Sequence, residues 1–164
     1  MPTDFLTLLR RDHTDIQKEL TDLLDPTATV AQLRSALDGV RLGLTAHAEA
    51  EDIVLGRFDA VPSLQLLVAQ ARAAHLGQEG ALSALVSARP GTTPWRDRAH
   101  HLRELVHYHA IQEEENLLPA LRAHTADYSQ LAGAFATERL RQLAMLQPSA
   151  PVFSPYTVLV EATT

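Results

Sequence analysis

The chain has 164 residues, enough for one domain with a sizeable core. Its net charge of −6 at pH 7, with no basic cluster beyond Arg10-Arg11, argues against nucleic-acid binding, which needs a concentrated cationic face. The absence of cysteine removes disulfides, iron–sulfur clusters and thiolate zinc sites.

No run reaches the ~18 apolar residues of a membrane span, and "MPTDFLTLLRRDH" lacks the apolar core of a signal peptide. A cytoplasmic protein with no membrane partner is the expectation. Ala and Leu outnumber Val and Ile, and aromatics are only 5% of the chain, a composition that favours helix over sheet.

Asp25-Pro26 ends a first helix over roughly residues 4–24, and a second is predicted from about Thr29 to Phe58. Pro62-Ser63 opens a third that closes near Arg89-Pro90-Gly91. Thr93-Pro94 supplies an N-cap and a first-turn proline for a fourth, reaching about His124. Asp127 starts a weaker fifth helix ending near Gln147. Beyond it, "PSAPVFSPYTVLVEATT" reads as an extended tail, since its prolines and β-branched residues disfavour helix. Four long helices with short links predict an all-α, up-down-up-down four-helix bundle with an additional C-terminal helix. The layout is then 1–126 for the bundle, 127–147 for the accessory helix of the same domain and 148–164 for the tail.

Steps of three and four residues mark the inward stripe of each helix. The first is Phe5, Leu9, His13, Ile16, Leu20; the second is Val30, Leu33, Leu37, Val40, Leu44, His47, Glu51, Val54. The third is Leu64, Val68, Ala71, His75, Glu79, Leu82, Val86, and the fourth is Trp95, Ala99, Leu102, Val106, His109, Glu113, Leu117, Ala120. Every stripe is apolar except for one polar band: His13, His47, Glu51, His75, Glu79, His109 and Glu113. Lone buried carboxylates and imidazoles cost several kcal/mol unless paired or bound to a metal. A band of them facing one another calls for a cation.

The band repeats. His13 and His75 are 62 residues apart, as are His47 and His109, and Glu51 and Glu113. Two helical hairpins related by a pseudo-twofold axis would each give a histidine from one helix and His-x-x-x-Glu from the next. That arrangement suits two metals bridged by the two glutamates. Gln17 in the first copy corresponds to Glu79 in the second, so one metal would gain a protein ligand while the other keeps an open position. Imidazole and carboxylate without thiolate suit iron, manganese or zinc, and bridging carboxylates favour a dinuclear iron or manganese pair.

The ordered set His13, His47-x-x-x-Glu51, His75 and His109-x-x-x-Glu113, followed by Leu118-Pro119, resembles the hemerythrin-like (HHE cation-binding) domain over roughly residues 4–124. The resemblance implies a non-haem di-iron centre, two iron ions with an oxo or hydroxo bridge, in preference to manganese or zinc. Glu51 and Glu113 would bridge, His75 and His109 would bind one iron, and His13 and His47 the other, which would carry the open position. Oxygen-carrying hemerythrins have a histidine where this chain has Glu79, and an aspartate one residue beyond the place of Glu113. An anionic ligand at 79 would stabilise ferric iron, favouring sensing, redox or iron handling over bulk oxygen transport. The implied partners are a small molecule such as O2, NO or peroxide and a separate electron donor. An enzyme turning over peroxide or NO, and a metal-free helical interaction module, are the alternatives.

Further expectations follow from the spacing. His100, His101, His107 and His124 fall off the stripes and read as surface, and Glu49, Asp52, Glu114 and Glu115 as the polar outer face, with support of a ligating side chain as their alternative role. A ferritin-like site would need two Glu-x-x-His motifs on separate helices, and the chain has only Glu104-x-x-His107, off the seam. His13 and His47 come level only if the second helix overhangs the first or starts later than Thr29. Pro119 should kink the fourth helix beyond Glu113.

Overall fold

The inward stripes do become helices. In the computed structural model residues 4–125 and 128–147 are described, and the regular structure among them is all helical. The elements are α1 (Phe5–Asp22), α2 (Val30–Leu55), α3 (Gln65–Val86), α4 (Thr93–Gln112), α5 (Leu118–His124) and α6 (Tyr128–Leu146). A 3-10 turn, Gly56–Phe58, continues α2, and a π-helical turn, Glu113–Leu117, joins α4 to α5. Asp127, expected to start the last helix, and the expected tail 148–164 lie outside the described residues.

Helices α1 to α4 form a ring in which α1 contacts α2, α2 contacts α3, α3 contacts α4 and α4 returns to α1. Helix α6 lies on α1 and α2. Two apolar clusters result, one on each side of the polar band. Ile16, Leu20, Leu33, Val40, Leu44, Trp95, Leu102 and Val106 belong to one. Phe5, Leu9, Val54, Leu55, Leu117, Leu121, Tyr128 and Phe135 belong to the other. Full burial stabilises each large side chain by roughly 1.5–3 kcal/mol, so two such plugs can carry a polar layer between them.

The helix starts match expectation at α2 and depart from it by one residue at α4. Thr29 caps α2 in a reciprocal box: its Oγ1 accepts from the Gln32 backbone N–H at 3.2 Å, and Gln32 Oε1 accepts from the Thr29 N–H at 2.8 Å. The cap of α4 is Thr92 rather than Thr93; its Oγ1 accepts from the Trp95 N–H, and Thr93-Pro94 enter the first turn. The Trp95 Nε1–H donates to the Leu23 carbonyl at 3.2 Å, tying the start of α4 to the end of α1.

The overhang required by His13 and His47 is present. Their ring centroids are 4.9 Å apart, although α1 ends nine residues after His13 and α2 begins seventeen before His47. At about 1.5 Å per residue, α2 therefore starts roughly 12 Å beyond the end of α1. Leu33 and Leu37 of that overhang pack with Leu20, Leu23 and Trp95.

Pro119 acts closer to the band than expected. The backbone widens from Glu113 itself, where the Leu118 N–H donates to the Glu113 carbonyl in an i→i+5 bond. Proline has no N–H for the Glu115 carbonyl, and the wide turn absorbs that loss.

Candidate metal centre

One ligand atom from each of His13 on α1, His47 and Glu51 on α2, His109 on α4 and Glu113 in the π turn falls within 4.8 Å of all the others. His75 on α3 joins them, its Nε2 2.9 Å from His109 Nε2 and 3.8 Å from Glu51 Oε2. All six side chains are buried. The imidazoles sort into two pairs, His13–His47 and His75–His109, with ring centroids 4.9 and 4.6 Å apart.

The two carboxylates lie between those pairs. Glu113 Oε2 is 3.1 Å from His13 Nε2, while its Oε1 is 3.0 Å from His109 Nε2. Glu51 Oε2 is 3.3 Å from His47 Nε2 and 3.8 Å from His75 Nε2. Each carboxylate thus spans one imidazole from each pair.

Carboxylates stand on the outer sides of three rings. Asp52 Oδ1 accepts from His75 Nδ1 at 2.8 Å, and Asp12 Oδ2 from His47 Nδ1 at 3.2 Å. Glu114 Oε1 is 3.7 Å from His13 Nδ1 and is itself held by Arg10. Asp12 also accepts from Arg139 of α6. On His47 and His75 the carboxylate at Nδ1 fixes the proton there and turns the Nε2 lone pair inward, as metal-ligating histidines require, whereas His13 Nδ1 has no hydrogen-bond partner.

The inward atoms behave as a cation site. Both oxygens of Glu51 and of Glu113, and Nε2 of His13 and of His47, are buried without a hydrogen-bond partner. Such atoms cost stability unless something charged sits among them. Two facing Nε2 atoms at 2.9 Å cannot both donate, so His75 and His109 fit either one shared proton or one shared cation.

Without a cation, protons take its place. Burial, and then the charge of Glu113, push the Glu51 carboxyl up. Burial acts on Glu113 in the same sense, but the neighbouring Glu51 carboxyl, and then the charge of His109, hold it well below the ordinary carboxylate range. Burial opposes charging of His47, yet its hydrogen bond to Asp12 and the adjacent Glu51 carboxylate push it up to about 10. His75 rises likewise against burial, through Asp52. A cation entering here must expel protons.

Glu79 departs from the expectation. It is exposed, and Gln78 takes the buried position one residue earlier. From His75 onward the inward stripe of α3 runs Gln78, Ala81, Leu85 instead of Glu79, Leu82, Val86. Val30, expected to begin the α2 stripe, is also exposed. Both amide atoms of Gln78 are buried without a partner, and Ile16 occupies the corresponding place in the first copy. Asp52 takes the supporting role given as its alternative, bound to His75, and Glu114 lies 3.7 Å from His13 Nδ1. The repeat held that signal, because they too are 62 residues apart and each follows a central glutamate. Asp12 and Arg139 were missed because Asp12 has no such counterpart and Arg139 reaches the site only through α6. His100, His101, His107 and His124 are exposed as expected.

A helical bundle that encloses imidazoles and carboxylates in one buried layer is a domain built for cation binding. Residues 4–121 match the sequence model of the hemerythrin HHE cation-binding domain, and the chain belongs to that family. No curated protein and no solved structure gives a match. Among the described residues no helix is long and apolar enough to cross a membrane.

Proposed function

We propose that this chain is a non-haem di-iron protein that binds or reacts with a small molecule such as O2, NO or peroxide. The observation that carries the dinuclear reading is Glu113, whose two oxygens face imidazoles of different pairs, at 3.1 and 3.0 Å. One metal would sit by His13 and His47, the other by His75 and His109, with Glu51 and Glu113 shared between them. Imidazole and carboxylate donors without thiolate suit iron, with manganese or zinc as the substitutes to exclude.

A bound iron pair would supply one-electron redox chemistry and open coordination that the side chains lack. The protein's own part is to hold the Nε2 lone pairs inward, to give up the protons resting on Glu51 and His47, and to keep bulk water out with the two apolar clusters. Position 79 supplies neither an imidazole nor an inward carboxylate, so an anionic ligand there gives no ground for ferric stabilisation. The shell is one imidazole short of the oxygen carriers, which favours sensing, redox or iron handling over bulk transport.

The architecture that fits this reading is an up-down-up-down bundle over residues 1–126, with 127–147 as an accessory helix and 148–164 as a tail. A cytoplasmic setting and a separate electron donor complete it. Metal quantification on protein made with adequate iron is the test, with about two irons per chain expected. One metal per chain would sink the dinuclear reading, and none would leave a helical module without a centre. Steady-state turnover of peroxide or NO by the loaded protein separates an enzyme from a binder.

A further inference from the structure

The sequence repeat relates α1–α2 to α3–α4, and the two halves have different outer faces. On the first half, Phe5, Leu9, Asp12, Ala46, His47 and Leu55 are all buried. Helix α6 covers that face, with Phe5 meeting the rings of Tyr128 and Phe135, His47 meeting Phe135 and Asp12 bound to Arg139. The residues 62 positions later are Leu67, Ala71, Ala74, Tyr108, His109 and Leu117, and these line an open cavity of about 220 Å³. Ala46 is 0% exposed, whereas its counterpart Tyr108 is 64% exposed. Among the described residues, the first half carries a helix where the second carries a hole.

The inner wall of that hole includes two of the six central residues. His109 and Glu113 line the cavity, and both Glu113 oxygens are buried without a hydrogen-bond partner. Gln70 and Gln112 line it with Tyr108, and it contains no lysine or arginine. A cavity lined by alanine, leucine, glutamine and tyrosine, with the Glu113 carboxylate buried behind its wall and no cation among its lining residues, admits neutral molecules and disfavours anions. A second cavity, of about 190 Å³ between α2 and α3, reaches His75, but Glu49, Asp52 and Glu79 line it and Asp52 already holds Nδ1 there.

We infer that small uncharged ligands such as NO or O2 reach the centre through the α3–α4 cavity and bind on the His75–His109 side, not on the His13–His47 side sealed by α6. This rests on the metal-binding reading above and reverses the open position expected from the sequence, which assumed that Glu79 closes the His75–His109 side.

The chain has no cysteine, so Ala74→Cys can be modified after folding with a bulky thiol reagent at that position alone. Stopped-flow NO association with the reduced, iron-loaded variant should slow by about tenfold or more on modification, because the only change is obstructed access. Modifying Ser83→Cys, on the exposed surface, should leave the rate unchanged. Methyl NMR under xenon pressure supplies a readout independent of metal, with shifts expected at Leu67, Ala71, Ala74 and Leu117. An unchanged NO rate in modified Ala74→Cys, or xenon shifts absent from those methyls, overturns the route. Xenon shifts at those methyls in a chain that takes up no iron would keep the cavity but overturn the centre it is meant to serve.

Discussion

The first half of the bundle, α1–α2, and the second, α3–α4, present the same polar spacing and opposite surroundings. His47 and His109 are equivalent in the repeat and both are buried. One lies under Phe135 and is held by an aspartate that Arg139 of α6 also grips, while the other lines an open cavity. The difference shows that a duplicated ligand set need not give two equivalent positions. Asymmetry enters through what covers each half, and α6 covers only one.

The largest effect should come from the residues common to both halves. Glu51→Ala and Glu113→Ala should each remove most of the bound metal, because each carboxylate serves both imidazole pairs. Metal content by mass spectrometry checks this, and a double variant that keeps its full complement would end the bridging assignment.

Matched substitutions on the two outer faces should differ next. Phe5→Ala should cost about 3–5 kcal/mol, as truncation of a fully buried ring leaves a cavity beneath α6. Leu67→Ala, its half-buried counterpart, should cost about 1 kcal/mol or less. Chemical denaturation compares them, and equal losses would show that the two faces are equally packed.

Asp12 and Asp52 test the same contrast at the imidazoles. Asp12→Asn and Asp52→Asn should each weaken metal affinity by about 10- to 100-fold, since each carboxylate orients a ligating ring. Only Asp12→Asn should also speed hydrogen exchange in α6, by releasing Arg139. Faster exchange in α6 with Asp52→Asn would mean that the halves are mechanically coupled.

pH should move the metal-free and loaded proteins in opposite directions. Without metal, His47, His75 and Glu51 all bind protons more tightly folded than unfolded. Stability from the histidines is full below the unfolded value of 6.5 and is lost as pH rises through about 10, the His47 value. The raised Glu51 acts with the same sign from its unfolded value of 4.5 upward. The loaded protein should instead lose stability as pH falls, because protons compete for the same atoms. Denaturant midpoints for both forms between pH 5 and about 10 decide it, and parallel curves would mean that the band does not exchange protons for metal.

The smallest effect belongs to Glu79. Glu79→Gln should leave the metal content unchanged and shift stability by no more than about 0.5 kcal/mol, as for an ordinary surface position. Loss of one metal equivalent would return it to the ligand shell.

The sequence by itself determined the all-helical composition, the helix-breaking punctuation and the six residues that meet at the centre. These are local or periodic properties: prolines break helices, and steps of three and four hold a side chain on one face. The 62-residue repeat strengthened them, since it brought four helices to one layer without any knowledge of their packing. Tertiary structure decided the rest. From His75, a step of three turns about 60° short of a full circle and a step of four about 40° beyond it, so either Gln78 or Glu79 could face inward. Only contact with the neighbouring helices selected Gln78. The overhang of α2 depended on how the 23–29 link and Trp95 seat against Leu23. The asymmetry of access depended on α6, more than 70 residues along the chain from the helices it covers, and no spacing within α1–α2 foretells which half a distant helix will choose.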